Sequence, residues 1–433
     1  MDLLTINDRP GEYSASYYAA TAQHLSEFPT ATGEISCDVC VIGGGYTGLS
    51  TALHLAERGF DVALLDAHRV GWGASGRNGG QVGVGQRVDQ DALEKMVGAN
   101  KARALWDLSL ASMSLVKHLI SKHKIDCGFT AGIIEADHRK RDVVASHDYV
   151  ERLQNAYGYK DIRALDQDEM RRLVGSDGYF GGSLDMGSGH LHPLNYALGL
   201  ARAAREAGVR IFENSRVITI SAGSKPLVRT ECAQIKADFV ALGCNGYLGG
   251  LEKTLGRKMM PINNYIVATE QLDVATAENL IRKNHAVADS RFVINYFRLS
   301  KDRRMLFGGG ESYGYRFPSD IKKLVLKPML KVYPQLKDVK IDYAWGGTLG
   351  ITMSRMPVFE RVSVNILSAG GFSGHGVAMA TLAGEIMAET IAGTAARFDL
   401  MASVPTPSFP GGVRLRWPLL VLAMTWYSLR DRF

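Results

Sequence analysis

A strand, a glycine series, a helix, a second strand and a terminal acid follow one another between Cys37 and Asp66, and that order leaves few folds open. Residues 37–42 are an apolar, β-branched run of strand length that stops at Gly43-Gly44-Gly45-Tyr46-Thr47-Gly48, a G-x-G-x-x-G series. Leu49, Ala52, Leu53 and Ala56 then recur at helical spacing, and Gly59 stands where a helix C-terminal glycine is expected. A second apolar run, 62–65, ends in Asp66. This is a dinucleotide-binding βαβ unit. Gly43 permits the tight turn, Gly45 lets the backbone approach a diphosphate, and Gly48 lets helix and strand pack closely. The helix N-terminus offers unpaired N–H groups and the positive end of its dipole to the anion. Asp66 is placed to accept hydrogen bonds from a ribose.

A chain of 433 residues is long enough for two domains sharing an interface. Its 46% hydrophobic and 22% charged residues are those of a soluble globular protein. The net charge of +6 is spread without a long basic run, which excludes nucleic acid as the main partner and favours anionic small molecules. The five cysteines are odd in number and scattered. Cys37 and Cys40 form a C-x-x-C inside the first strand, so they read as core packing rather than redox or zinc chemistry. No metal site is expected: His190 and His192 flank a leucine before Pro193 with no third ligand nearby. A reducing, cytoplasmic setting fits. The N-terminus lacks the apolar core of a signal peptide, and no run of eighteen apolar residues exists. Residues 414–432 place an apolar stretch between basic flanks, which reads as a helix docked on the protein body rather than on a membrane.

Glycine punctuates the rest of the chain. GWGASGRNGGQ (71–81) is a loop too long and polar for a core. Helical patterning runs from 91 to about 123, 127–136 reads as a strand, 142–157 as a helix, and 165–174 as a short helix capped by Asp166. A strand over 179–186, a turn at SGHLHP (188–193) and a helix over 194–207 follow. Short strands fill 209–232, and the buried-strand run 238–242 ends at Gly243. Strands alternate with one or two helices over 257–343; GGGESYG (308–314) mimics a phosphate loop, but Pro318 interrupts any following helix and a turn is expected. Residues 365–369, GGFSGHG and a helix from 377 to about 391 make a second strand–glycine–helix passage. The implied fold is α/β and discontinuous. Residues 37–90, 187–256 and 344–400 build the dinucleotide domain, 91–186 and 257–343 a second domain with an antiparallel sheet, and 1–36 and 401–433 an N-terminal extension and a docked tail.

The glycine passages, with SYYAA (16–20), GASGRNGGQ (73–81), GHLHPLN (189–195), SRMPVFER (354–361), GFSGHGV (371–377) and SLRDR (428–432), carry a family resemblance over essentially the whole chain. The chain resembles the D-amino-acid-oxidase-like FAD-dependent oxidoreductases, a class that includes sarcosine and glycine oxidases. SYYAA, GRNGGQ, SRMP and SLRDR narrow the resemblance to the γ-glutamylputrescine oxidase branch. The resemblance implies a GR2-type FAD domain and a substrate domain with the flavin ring between them. It carries Gly43, Gly45, Tyr46 and Thr47 to the diphosphate, Asp66 and Ala67 to the adenosine ribose, and Val217 and Gly243 to the adenine side. It carries Gly73, Ala74, Ser75, Arg77, Asn78, Gly79, Gly80 and Gln81 to the loop running toward the ring. Gly371, Phe372, Gly374, His375 and Gly376 match the helix start at the pyrimidine edge, where a helix dipole stabilises negative charge on reduced flavin.

Three departures bear on chemistry. Covalent-flavin relatives place a cysteine or histidine where this chain has Gly346-Gly347 or GASGRNGG, so noncovalent FAD is expected. Sarcosine oxidases follow G-F-S-G-H-G with a carboxylate-holding lysine, where Val377-Ala378 stand here. An unpaired buried carboxylate is costly, so an amine without an adjacent carboxylate suits the site better. The oxygen-activating lysine of those oxidases has no counterpart at 305–307, which leaves molecular oxygen or another electron acceptor open. The expected reaction is oxidation of γ-glutamylputrescine or a similar ω-amine, with His375 at the catalytic ring edge. Tyr265, Tyr296 and Trp345 are candidate walls, and Arg298 and Arg355 candidates for a distal carboxylate. A D-amino-acid dehydrogenase or glycine/sarcosine oxidase activity, and a non-catalytic dinucleotide-binding role, are the alternatives.

Overall fold

The computed structural model describes residues 2–312 and 314–412. Two sheets organise them. In the first, Ile366–Gly370, Ala233–Leu242, Gly33–Ile42, Val62–Leu65 and Arg210–Phe212 run parallel in that order, with Val358–Ser363 antiparallel at one edge. The short strands Thr219–Ser221 and Leu227–Arg229 extend it from Ala233–Leu242. The first strand begins at Gly33, ahead of the apolar run, because its polar start pairs in register with residues 233–236. Helices Tyr46–Ala56 and Gly376–Ile391 pack tightly together: a Cβ on Gly384 would lie 2.5 Å from the Thr47 carbonyl oxygen. Leu49, Leu53, Leu64, Leu382 and Ile386 join helix faces and sheet in one core.

Register places the strand ends together. Ile42 stands opposite both Leu65 and Leu242, and Leu242 opposite Ser368. Gly43, Asp66, Gly243 and Gly371, each just past a strand end, therefore converge at one edge. That edge is where parallel α/β sheets bind ligands, beyond the carboxyl ends of strands at a point where connections diverge.

The second sheet has nine strands and is mostly antiparallel. Its order is Ile341–Ile351, Met260–Thr269, Met305–Ser312, Tyr296–Leu299, Ala286–Asp289, Thr130–Ala136, Gly182–His190 and Gln81–Val82, with Ile162–Leu165 also on Gly182–His190. Tyr265, Phe297, Phe307 and Tyr333 fill its own core, where the Phe297 and Phe307 rings stack at 5.2 Å. Gln81–Val82 and Ile341–Ile351 belong to this sheet although their neighbours in sequence serve the first.

Two expected turns are strands. Ser188-Gly189-His190 continues the Gly182–His190 strand and pairs with Gln81 and Val82. Gly189 is required there by close approach, since its Cβ would lie 2.4 Å from the Thr130 carbonyl oxygen. Residues 308–312 likewise lie inside the Met305–Ser312 strand, where a Cβ on Gly308 would strike the Tyr296 ring. The long helical pattern is two helices, Gln90–Val97 and Ala99–Lys122, divided at Gly98 with φ of 83°. Cys37 and Cys40 are unpaired and buried, and burial pushes the Cys37 thiol up to about 11. The expected tail helix over 414–432 lies outside the described residues. No described helix is long and apolar enough to cross a membrane.

Candidate functional site

Between the converging strand ends and the second sheet lies a cavity of about 960 Å³. Two helix N-termini border it, through Thr47 of Tyr46–Ala56 and Gly376 of Gly376–Ile391. First-turn amides have no acceptor within their own helix, so two positive ends face one space. The glycine cradle is tight. A Cβ on Gly48 would sit 1.8 Å from the Gly43 carbonyl oxygen, and one on Gly43, whose φ is 105°, would sit 2.9 Å from that of Gly243.

Asp66 closes the cradle from the next strand. Its Oδ2 accepts from the Gly44 N–H at 2.6 Å and its Oδ1 from the His68 N–H at 2.7 Å. Burial outweighs these two bonds and holds the carboxyl up at about 6. Each oxygen keeps a second lone pair for a ligand hydroxyl. Ala67, Val217 and Gly243 line the cavity beside it.

The 73–81 loop is folded by its own polar groups. Ser75 Oγ accepts from the Tyr46 N–H at 3.0 Å, and Asn78 Nδ2 donates to the Ala74 and Ser75 carbonyls, each at 3.0 Å. Asn78 Oδ1 accepts from the Gly80 N–H, and Gln81 Nε2 donates to the Val287 carbonyl of the second sheet. Arg77 donates to the Trp72 carbonyl at 2.7 Å and pairs with Asp8 at 2.8 Å. Its buried Nη2 has no partner among the described residues, and Arg77 lines the cavity. An orphaned buried donor of that kind calls for an acceptor from a ligand or an ordered water. A long cavity with two helix N-termini, a ribose-ready carboxylate and an orphaned guanidinium N–H fits a dinucleotide such as FAD.

Gly73, Gly79, Phe372 and Gly374 also line the cavity, while Gly80 and Gly371 stand behind it. His375 caps the Gly376–Ile391 helix and reaches back to the Gly85 carbonyl oxygen at 3.0 Å through Nε2. Accepting oxygen requires the proton on Nε2, leaving Nδ1 as an acceptor. Burial, and then Arg87, depress this imidazole to about 4, so it is neutral near pH 7.

The candidate walls divide. Tyr296 lines the cavity, and its hydroxyl donates to Asn264 Oδ1. Tyr265 lies in the second core, bonded to Ser312 Oγ at 2.5 Å, and Trp345 is buried with Nε1 donating to the Arg77 carbonyl. Arg355 lines the cavity, with φ of 63°. Arg298 does not. It is buried and donates to the Gly79, Leu191 and Leu299 carbonyls and the Tyr18 hydroxyl, tying the loop to the second sheet. His190 and His192 are likewise absorbed by structure, bonded to the Asn284 carbonyl and the Asn195 N–H. Sequence reading passed over Arg87, Glu135, Trp72, Tyr247 and Thr348, all on the cavity wall. Only the alternation within 130–136 could have marked Glu135, as a polar residue among apolar neighbours.

The family model for FAD-dependent oxidoreductases of the DAO type matches residues 38–390. The chain belongs to this family. It is 44% identical over 422 residues to the γ-glutamylputrescine oxidoreductase of Escherichia coli strain K12, covering 97% of this chain and 99% of that one. It is 41% identical to the probable oxidoreductase OrdL of Rhizobium meliloti strain 1021, covering 96% and 97%. Among solved structures, glycine oxidase from Geobacillus kaustophilus superposes with a TM-score of 0.74 at 20% identity, over 87% of this chain and all of that one, a likeness of fold. As a DAO-family protein, this chain is an FAD-dependent amine oxidoreductase.

Proposed function

We propose that this chain oxidises γ-glutamylputrescine at its terminal amine, giving the γ-glutamyl aminoaldehyde and ammonia, with hydrogen peroxide when oxygen is the acceptor. The near full-length identity to an enzyme named for that amine carries the reading. The neutral Val377-Ala378 start of the Gly376–Ile391 helix supports it, because no lysine there awaits a carboxylate beside the reacting carbon.

FAD is held without a covalent link. Gly43, Gly45, Tyr46 and Thr47 take the diphosphate, Asp66, Ala67, Val217 and Gly243 the adenosine. Residues 73–81 and 371–376 take the ring. In this division the first sheet serves the cofactor and the second the substrate, with 81–82, 187–190 and 344–351 falling in the second sheet rather than with the cofactor segments expected from sequence. Bound FAD supplies the two-electron acceptor. The chain's part is to hold a neutral amine with its α-C–H about 3–3.5 Å from the accepting atom and to keep water out until the imine leaves for hydrolysis. Tyr296 walls the amine. His375, neutral at working pH, orients the ring edge through Nδ1 rather than carrying a proton. Arg355 is placed for the substrate's distal carboxylate, since Arg298 is engaged elsewhere.

Purified holoprotein supplied with γ-glutamylputrescine in air should release aldehyde and ammonia in equal amounts. Aldehyde without peroxide would make the acceptor something other than oxygen; no aldehyde from this amine would overturn the substrate assignment.

A further inference from the structure

We propose that Glu135 is the substrate-binding carboxylate for the second, non-reacting ammonium of the amine, the one borne by its γ-glutamyl cap. The proposal rests on the amine-oxidation reading and names a cation subsite within the same cavity.

The sheet register carries it. Glu135 stands opposite Ala288, Ala288 opposite Tyr296, and Tyr296 opposite Gly308. Directly opposed residues share a face, so Glu135, Ala288 and Tyr296 form one row, and all three line the cavity. Ala288 is small, which leaves a slot between a carboxylate and an aromatic ring. That pairing suits an alkylammonium, which gains charge attraction at one end and ring contact along its chain.

Distance decides which ammonium. Tyr296 abuts the cofactor loop, where a Cβ on Gly79 would lie 2.7 Å from its ring. Strands lie about 4.8 Å apart, so Glu135 is two strands, or about 10 Å, beyond Tyr296. In γ-glutamylputrescine the cap ammonium is nine bonds from the reacting carbon. Nine bonds equal three residues of extended chain, about 10–11 Å. The reacting amine at the loop and the cap ammonium at Glu135 are therefore commensurate.

The charges around Glu135 leave it as the receptive group. Arg87 and Asp89 face it from the loop after Gln81–Val82, Asp137 from just past the end of its own strand and Asp185 from the neighbouring strand. Asp185 is bonded to Ser188, the Gly187 N–H and Tyr159, and Asp289 on the other side to Arg291 and Asn295. Among the described residues no hydrogen bond or ion pair reaches the Glu135 carboxylate. Arg87 is anchored by the Ser373 carbonyl at 3.2 Å and stays within electrostatic reach of both Glu135 and His375. Together with Arg355 it supplies positive charge for the carboxylate that accompanies the cap ammonium. The Glu135 side chain is exposed to the cavity, and Arg87 beside it favours the ionised carboxylate that receives a cation.

N-Glutarylputrescine tests this, being the same amine with hydrogen in place of the cap ammonium. Anaerobic flavin reduction is followed for the holoenzyme and for Glu135→Gln, with FAD content checked by absorbance. For γ-glutamylputrescine, Glu135→Gln should raise the half-saturating concentration about tenfold or more, with the limiting rate within about twofold. For N-glutarylputrescine the two proteins should agree within about twofold. Equal loss for both amines, or no loss for either, overturns the subsite while leaving the amine reading intact. A wild-type enzyme whose flavin neither amine reduces overturns the amine reading and the subsite with it.

Discussion

Asp66 shows how a residue can be legible in position and hidden in duty. Its place after the second strand marks a ribose acceptor, yet its oxygens also hold the Gly44 and His68 amides, contacts no spacing rule reveals. Replacing it with alanine removes charge-assisted bonds worth about 1.5–3 kcal/mol each, so Asp66→Ala should weaken FAD binding by at least tenfold. The sign of the pH dependence follows from the raised carboxyl. The apo carboxyl at about 6 must ionise to accept ribose hydroxyls well, so FAD affinity should rise with pH up to about 6 and then level. Equilibrium titration of apoprotein checks both, and unchanged affinity in Asp66→Ala would remove Asp66 from the cofactor site. His375 differs. With its imidazole depressed to about 4, His375→Ala should slow flavin reduction about tenfold while FAD stays bound. A stopped-flow rate within about twofold of wild type would reduce His375 to a helix cap. Arg298 could not have been placed from sequence: an arginine's stem reaches core or cavity alike, and here four oxygens of the fold claim it.

At the scale of elements, the first βαβ unit was fully legible because strand, glycines and helix are neighbours in sequence. The turns expected at 188–193 and 308–314 were not, because glycine marks both turns and places where another chain segment presses close. Gly189 and Gly308 are of the second kind, under Thr130 and Tyr296, which only strand pairing brings against them. A paired substitution separates the two uses. Gly48→Ala drives a methyl into the Gly43 carbonyl, 1.8 Å away, so the diphosphate loop must shift, and overpacking of this kind costs about 1–3 kcal/mol or more. Gly59→Ala meets nothing within 4 Å and suffers only from its φ of 87°, about 1 kcal/mol. Thermal unfolding and flavin absorbance should show Gly48→Ala losing FAD and Gly59→Ala losing only stability. FAD retained in full by Gly48→Ala would contradict the cradle.

Across the whole molecule, the parallel register brings Gly43, Asp66, Gly243 and Gly371 to one edge, although more than three hundred residues separate the first from the last. The mixed α/β architecture with two sheets follows from the strand–glycine passages at the start, middle and end of the chain. The substrate wall was scarcely legible, since it is assembled by register across strands that only the fold sets side by side. Acid precipitation should release all the flavin from the protein, and colour left in the pellet would contradict a noncovalent site. The substrate assignment is tested most directly by anaerobic reduction of the bound flavin with γ-glutamylputrescine, putrescine, sarcosine and D-alanine at equal concentration. Putrescine brings a second ammonium without the cap's carboxylate, and like-charge repulsion near Arg355 and Arg87 can cost several kcal/mol. At about 1.4 kcal/mol per decade, γ-glutamylputrescine should therefore reduce the flavin about a hundredfold faster than putrescine, and faster still than the two α-amino acids. Faster reduction by sarcosine or D-alanine would contradict the account and make this chain an amino-acid oxidoreductase.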